Sequence, residues 1–588
     1  MLVYRIKIKL GIHEACNLDD TSQYVKFFKE TIHNKLPLNS SFSIFGHISF
    51  DLHGMAPDWM SNVITKKSFK QTETNWWKIS DFDEEVGDIK NIWELSRFQW
   101  AVFLAINSSS NRENLKILNN WLLDWADKNK PYFGPNWKCA QEASLRVINL
   151  SLAMIFLGTF KNPSKDLVSL LKVHLKRITS TTSYAAAQNN NHIISEAAAL
   201  IIGGIILSDA ENEMGEKYYL KGRLCLERSI NKLVFSEGTF SQYSSNYHRL
   251  VLDILSCVEI WLRLAKRKPL QLCTYKKIAS MWEWLYSITD VTSGKFPFVG
   301  ANDGANLFCF FNYEYNDARP SLIIAGALFK KSKVFDNHCQ TLNYLLNNLD
   351  LNNLTARNKI QESIICRDGG FAILRNKNSL GFFRIPKYSY RPSQCDGLHI
   401  DYWFNGLNIL RDAGTYSYNA DPVLLDNFDG SIGHNTIRFD GRNQMERLGR
   451  FLYKNWLQPE NFSSSINSSE NQKVSCGYTD SYKASHYREV NLQKKGIRII
   501  DEINGFQNYA EQFWRLPDLN WKINKVSQFS LTVASKNIYF NINTTMPIND
   551  AVISRGMESM NYNKYHEIPI LRIKYNQYGM IDTFIENN

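Results

Sequence analysis

The spacing of apolar residues changes once along this 588-residue chain, near residue 360, and that change constrains the fold more than any single motif. Before it, segments such as 114–128, 138–157, 196–207 and 246–266 place apolar residues three and four apart, the period of a helix with one buried face. Roughly ten to twelve such segments recur at intervals of about 20–40 residues without a shared consensus, which excludes a solenoid with a readable repeat. After Arg367-Asp368-Gly369-Gly370 the texture is strand-like, with short runs at 371–375, 380–385, 398–410, 436–440, 489–501, 512–516, 529–534 and 538–542. Gly, Asn and Asp turns separate these runs, as in an antiparallel sandwich. The Asn-rich stretch 343–358 reads as the connection. The predicted fold class is α+β multidomain: a helical domain over 1–355 with an N-terminal extension, then an antiparallel β-sandwich over 356–588.

Composition narrows the partners. A hydrophobic fraction of 44% with 21% charged residues is globular, not disordered or fibrous. The 34 Phe, 28 Tyr and 15 Trp suit a large core and equally a sugar groove, because a pyranose stacks its apolar faces on rings. A net charge of +11 without a Lys/Arg run does not favour nucleic acid; an acidic polysaccharide or oligosaccharide fits it. None of the ten cysteines forms a C-x-x-C pair, which argues against a zinc ribbon or a thioredoxin-like site and for scattered reduced thiols. The opening MLVYRIKIKLGIHEACNLDD has neither an apolar h-region nor a small-residue cleavage site. The expectation is a cytoplasmic protein, or a periplasmic one if that N-terminus is misassigned. The most apolar stretch, 197–207, falls short of the roughly 18–20 residues of a membrane span, so none is predicted.

Five segments carry candidate chemistry. In the first, Trp137 precedes Glu142 and Arg146, which are four apart on one helix face. They form a structural ion pair, or Trp137, Glu142 and Arg146 line an anionic sugar groove. In the second, Gln188-Asn189-Asn190-Asn191-His192 opens an apolar helix. Asn caps helices, but amide donors and an imidazole at a helix N-terminus also suit a carboxylate. In the third, Tyr247 is flanked by Asn246, His248 and Arg249, and cationic neighbours would lower a phenol's pKa from about 10. The fourth runs from Arg391-Pro392-Ser393-Gln394-Cys395-Asp396 through His399 to Asp412 and Tyr418, and the fifth is Gly433-His434-Asn435. His and Asp on neighbouring strands bind a metal or form a buried polar network.

In this order the stretches WELSRFQW, NWKCAQEASLRV, NNNHIISEAA, GTFSQYSSNYH, RPSQCDGLHIDYWFNGLNILRDAGTYSY and GHNTI resemble the heparinase II/III-like family of polysaccharide lyases. The resemblance implies an incomplete (α/α) toroid followed by an antiparallel β-sandwich, and β-elimination on uronic-acid-containing polysaccharides. Donors that neutralise the C6 carboxylate stabilise an enolate-like intermediate, a Tyr or His removes the C5 proton, and a Tyr protonates the leaving oxygen. By this resemblance Asn191 and His192 are the neutralising pair, Tyr247 is the acid/base, and Asn246, His248 and Gln394 contact substrate. Gln394 stands where such lyases often carry a catalytic His, and a glutamine does not titrate. His399 is the substitute base, although five strand residues put it roughly 16 Å away on the opposite face. No cofactor is required. A structural divalent metal, Zn or Ca, would fall on Asp396, Asp412 and His434. Alternatives are a uronyl C5-epimerase and a non-catalytic glycan-binding protein of capsule or exopolysaccharide metabolism. The polymer and the oligomeric state stay open.

Overall fold

The computed structural model describes residues 24–29, 35–39, 41–210, 212–336, 339–349, 351, 354–356, 361–468 and 471–587. The N-terminal stretch read above for targeting lies outside the described residues, as does part of the Asn-rich connection.

Twelve α-helices are present among the described residues between Lys90–Ser96 and Gln340–Asn347. Two of them, Ala140–Leu157 and Asn191–Asp209, are apolar all round and form the middle of the helical core. By length and composition both could cross a membrane, which corrects the expectation drawn from 197–207 alone, yet they are 100% and 89% buried inside the protein. Glycines allow the close packing. A Cβ on Gly204 would come within 2.5 Å of the Tyr219 amide on Met214–Leu233.

The first 350 residues are not helical throughout. A hairpin of Ser41–Ile44 with Ile48–Asp51 and largely irregular chain precede the first described α-helix. The signal was present: S-F-S-I and I-S-F-D alternate around Phe45-Gly46, both at positive φ, as a tight hairpin turn requires.

Beyond residue 361 antiparallel sheets dominate. A five-stranded sheet orders Leu407–Leu410, Ile400–Phe404, Ser379–Arg384, Phe371–Arg375 and Ile364–Cys366. An eight-stranded sheet runs from Glu460–Ser468 at one edge to Lys522–Ser527 at the other, with Gly579–Asn587 inside it. A four-stranded sheet holds Ile437–Phe439, Ala510–Arg515, Lys564–Tyr575 and Asp550–Asn561. Within 398–410 and 489–501, each read as one run, the chain turns back in a hairpin. The helical and sheet regions share one hydrophobic cluster. At their junction Trp284 packs on Phe371 and Phe382, at ring-centroid distances of 5.6 and 6.2 Å.

Candidate active site and metal centre

The three consecutive asparagines do three different things. Asn189 ends Thr182–Gln188 in the left-handed region, with φ 53°. Asn190 caps the next helix by accepting from the His192 amide at 3.1 Å. Asn191 is the first residue of that helix, buried at the wall of a cleft, and its amide donates to Gln242 Oε1 at 2.8 Å. The segment around Tyr247 is built alike: Ser244 caps Ser245–Leu264 by accepting from the Tyr247 amide at 3.1 Å.

These two helix N-termini face one cleft of about 920 Å³ between the helical and sheet regions, lined by Asn191, His192, Tyr247 and Glu142. The sheet side contributes Arg391, Tyr418 and Arg450. The hydroxyls of Tyr247 and Tyr418 are 2.9 Å apart. Burial, then the Asp303 carboxylate, push the Tyr247 phenol well above its usual range, the reverse of the lowering expected from its sequence neighbours. Those neighbours point away. His248 bonds the Met281 carbonyl at 2.9 Å, and Arg249 donates to the Tyr315 carbonyl and to Asn246 Oδ1. His248 and Asn246 are thus core residues, not cleft residues. His192 is half-buried, and enclosure holds its pKa down to about 4 against weaker opposing pulls from Glu142 and Asp303.

Glu142 reaches the cleft but does not pair with Arg146. Arg97 grips it in a fork at 2.7 and 2.9 Å. Arg146 is fully buried instead, donating to His174 Nε2 and to the Asn136 carbonyl at 2.8 Å, with Trp125 and Trp137 against its guanidinium. Trp137 is also fully buried, its indole bonded to the Asn129 carbonyl, so neither residue lines the groove. Trp76, Trp77, Trp93 and Trp456 are the tryptophans that do, with Phe451 beside them.

Gln394 is buried beside the cleft, in a recess of about 20 Å³ shared with Tyr418, Ser393 and Arg450. Its Nε2 donates to the Gly414 carbonyl at 3.4 Å, and its Oε1 has no partner. His399 does not face the cleft. It is buried in the sandwich, where the Asn435 amide donates to its Nδ1 at 3.0 Å. Its Nε2 lies 3.5 Å from Asp412 Oδ2, and His434 Nδ1 lies 2.9 Å from the same oxygen. Among the described residues, His399, Asp412 and His434 bring their donor atoms within 4.8 Å of one another, close enough to hold one metal ion, so His399 stands where Asp396 was expected. Asp396 accepts from the Tyr388 hydroxyl at 3.0 Å and pairs with Arg384 at 3.4 Å. Two nitrogens and a carboxylate oxygen suit zinc better than calcium, which takes oxygens. The unpartnered His399 Nε2 fits such an ion.

Sequence reasoning gave no role to Tyr418, Asp303, Glu196, Arg391 or Arg450, all of which line the cleft. Burial raises the Glu196 carboxyl to about 8, and its Oε2 has no hydrogen-bond partner. Its place four residues after His192, on the same helix face, was a readable signal. Tyr418 closed the fourth candidate segment, but nothing in the sequence paired it with Tyr247, 171 residues away.

Residues 46–289 match the heparinase II/III N-terminus and residues 361–562 the heparinase II/III-like C-terminal region, so the chain belongs to the heparinase II/III-like family. The crystal structure of heparinase III is similar at TM-score 0.64 and 16% identity, over 87% of this chain and 79% of that one. A mutant of the heparan sulfate lyase HepC from Pedobacter heparinus matches at TM-score 0.59 and 17% identity, covering 93% and 86%. The Streptomyces coelicolor A3 chondroitin AC lyase in complex with chondroitin sulphate matches at TM-score 0.54 and 10% identity, covering 88% and 77%. Among curated protein sequences none matches. The shared architecture is an incomplete (α/α) toroid followed by an antiparallel β-sandwich.

Proposed function

We propose that this chain is a lyase that cleaves a uronic-acid-containing polysaccharide by β-elimination. The observation that carries the reading is the meeting of Asn191, His192 and the Tyr247–Tyr418 pair in one cleft, from elements far apart in sequence. Asn191 and the neutral His192 ring donate hydrogen bonds to the C6 carboxylate and hold the charge that grows on it as the C5–H bond breaks. Tyr247 takes the C5 proton as a phenolate, stabilised by the Tyr418 hydroxyl. The C4–O bond breaks, C4=C5 forms, and Tyr247 returns the proton to the leaving oxygen. This one-residue cycle asks nothing of Gln394. The buried tyrosines stay protonated at neutral pH, which suits the donating half-step; the phenolate is the minor form that substrate binding must select.

The test is ultraviolet absorbance of the unsaturated uronate, measured with heparan-, chondroitin- and alginate-type polymers. No absorbance on any polymer would sink the lyase reading. Inversion at C5 without absorbance would replace it with uronyl C5-epimerisation, in which the proton leaves one face of the ring and another is returned to the opposite face.

We also propose that His399, Asp412 and His434 hold a structural zinc ion in the sandwich. His434→Ala should lower the zinc content of the purified protein and its melting temperature. Equal metal content in both proteins would exclude this centre.

A further inference from the structure

Six cationic side chains line the cleft: Lys90, Arg97, Lys138, Arg177, Arg391 and Arg450. Four are engaged by the helical region itself. Lys90 bonds Glu94 at 3.1 Å and the Asp303 carbonyl at 2.6 Å, and Arg97 forks onto Glu142. Lys138 pairs with Asp81 at 3.2 Å, and Arg177 donates to the Trp137 and Lys138 carbonyls. The other two differ. Arg391 and Arg450 are exposed, both come from the sheet region, and neither makes a hydrogen bond or ion pair among the described residues.

Their backbones are nevertheless held in place. The amides of Ser389 and Tyr390, just before Arg391, donate to the Tyr243 hydroxyl at 2.8 and 3.1 Å, and the Tyr390 hydroxyl donates to the Lys232 carbonyl at 2.7 Å. Arg450 sits in the turn of the hairpin Glu446–Gly449/Leu452–Lys454, which Arg447 ties to Asp429. Arg391 faces His192 across the cleft closely enough to oppose protonation of its ring. Arg450 borders both the cleft and the Gln394 recess.

We infer that Arg391 and Arg450 form an anion subsite that grips oxyanion groups of the bound saccharide other than the C6 carboxylate at the reaction centre, whether sulfate esters or carboxylates of neighbouring uronates. A guanidinium presents a planar fork to either group, and two uncompensated ones at a cleft wall make the site selective for a polyanion. The inference rests on the saccharide reading above.

The test uses the full chain carrying Tyr247→Phe, so that bound oligosaccharide is not consumed. Calorimetry compares a sulfated glycosaminoglycan hexasaccharide with the same backbone after desulfation. Arg391→Gln and Arg450→Gln should each weaken binding about tenfold, the worth of a charge-assisted hydrogen bond. Each should also flatten the salt dependence of binding. Arg→Lys at each position keeps the charge, controls for folding, and should recover part of the loss. A loss confined to the sulfated ligand assigns the subsite to sulfate; a loss with both assigns it to carboxylate. If the parent binds a hexasaccharide and both Gln variants bind it equally well, the subsite is overturned and the proposed function stands. If the parent binds neither hexasaccharide nor an alginate oligomer, both fall together.

Discussion

The two walls of the cleft are built on opposite principles. On the helical wall, charges are matched internally: Glu142 is held by Arg97, Glu94 by Lys90 and Arg97, and each helix that presents Asn191 or Tyr247 starts from a side-chain cap. Those groups are buried and fixed before any ligand arrives, which is what a site that stabilises a developing charge needs. The sheet wall leaves its arginines unmatched and exposes Phe451 and Leu452 from the same hairpin. Matched charges set geometry, and unmatched ones are left to recognise a ligand. Tyr418 is the exception, a sheet residue completing the helical wall through its bond to Tyr247.

The sharpest way to break this contrast is Tyr247→Phe, which removes a hydroxyl and keeps the ring. Turnover should fall by about 10²–10⁴-fold, the worth of a positioned acid or base, with oligosaccharide affinity nearly unchanged. Steady-state kinetics beside calorimetry reads the two separately. Full activity would move the reacting group to the sheet wall. Asn191→Ala should come next, with a loss of about 10²–10³-fold in kcat, as for one donor to a developing anion. A rise in KM alone would make Asn191 a recognition residue like those opposite.

How legible these walls were in the sequence follows the same division. The helix and strand periods marked out the two regions, and the segments holding Asn191, His192 and Tyr247 stood out because each combines a cap signal with polar residues before an apolar run. What failed were the inferences that read a side chain against its neighbours in sequence. Glu142 was read against Arg146 four residues on, but its partner is Arg97, 45 residues away. Trp137 was read as a groove residue because aromatic character says nothing of burial, and it packs between Tyr132 and His174. His399 was placed by strand geometry from Gln394, but the strand begins only at Ile400, after Leu398 at positive φ. The long strands Asp550–Asn561 and Lys564–Tyr575 went unread because neither alternates cleanly between buried and exposed positions.

A third prediction concerns the floor of the helical wall. The Glu196 carboxyl has a pKa of about 8 in the folded chain, against 4.5 for the free group, because burial disfavours its charged form. Between those values the unfolded chain releases a proton that the folded chain keeps, so stability declines as pH rises through that window. Glu196→Gln removes this dependence. The variant should be more stable than the parent at about pH 8.5, by on the order of 2 kcal/mol, and the difference should shrink toward about pH 5. Denaturant melts at the two pH values decide it, and a difference independent of pH would show that Glu196 does not titrate in this range.

The smallest effect should come from Gln394, at the seam between the walls. Its amide makes one long bond to the Gly414 carbonyl and leaves Oε1 unpaired in a recess large enough for about one water. A glutamine cannot exchange a proton with substrate, so its contribution is limited to holding that water or the saccharide beside Tyr418. Gln394→Ala enlarges the recess and admits more water without removing a titrating group. Turnover should then fall by less than about tenfold, within the range of one neutral hydrogen bond. The pH profile of kcat should keep its shape, because the groups that titrate in the reaction are untouched. A loss as large as that of Tyr247→Phe would place the reaction centre at the recess, and with it the proton transfer on the sheet wall.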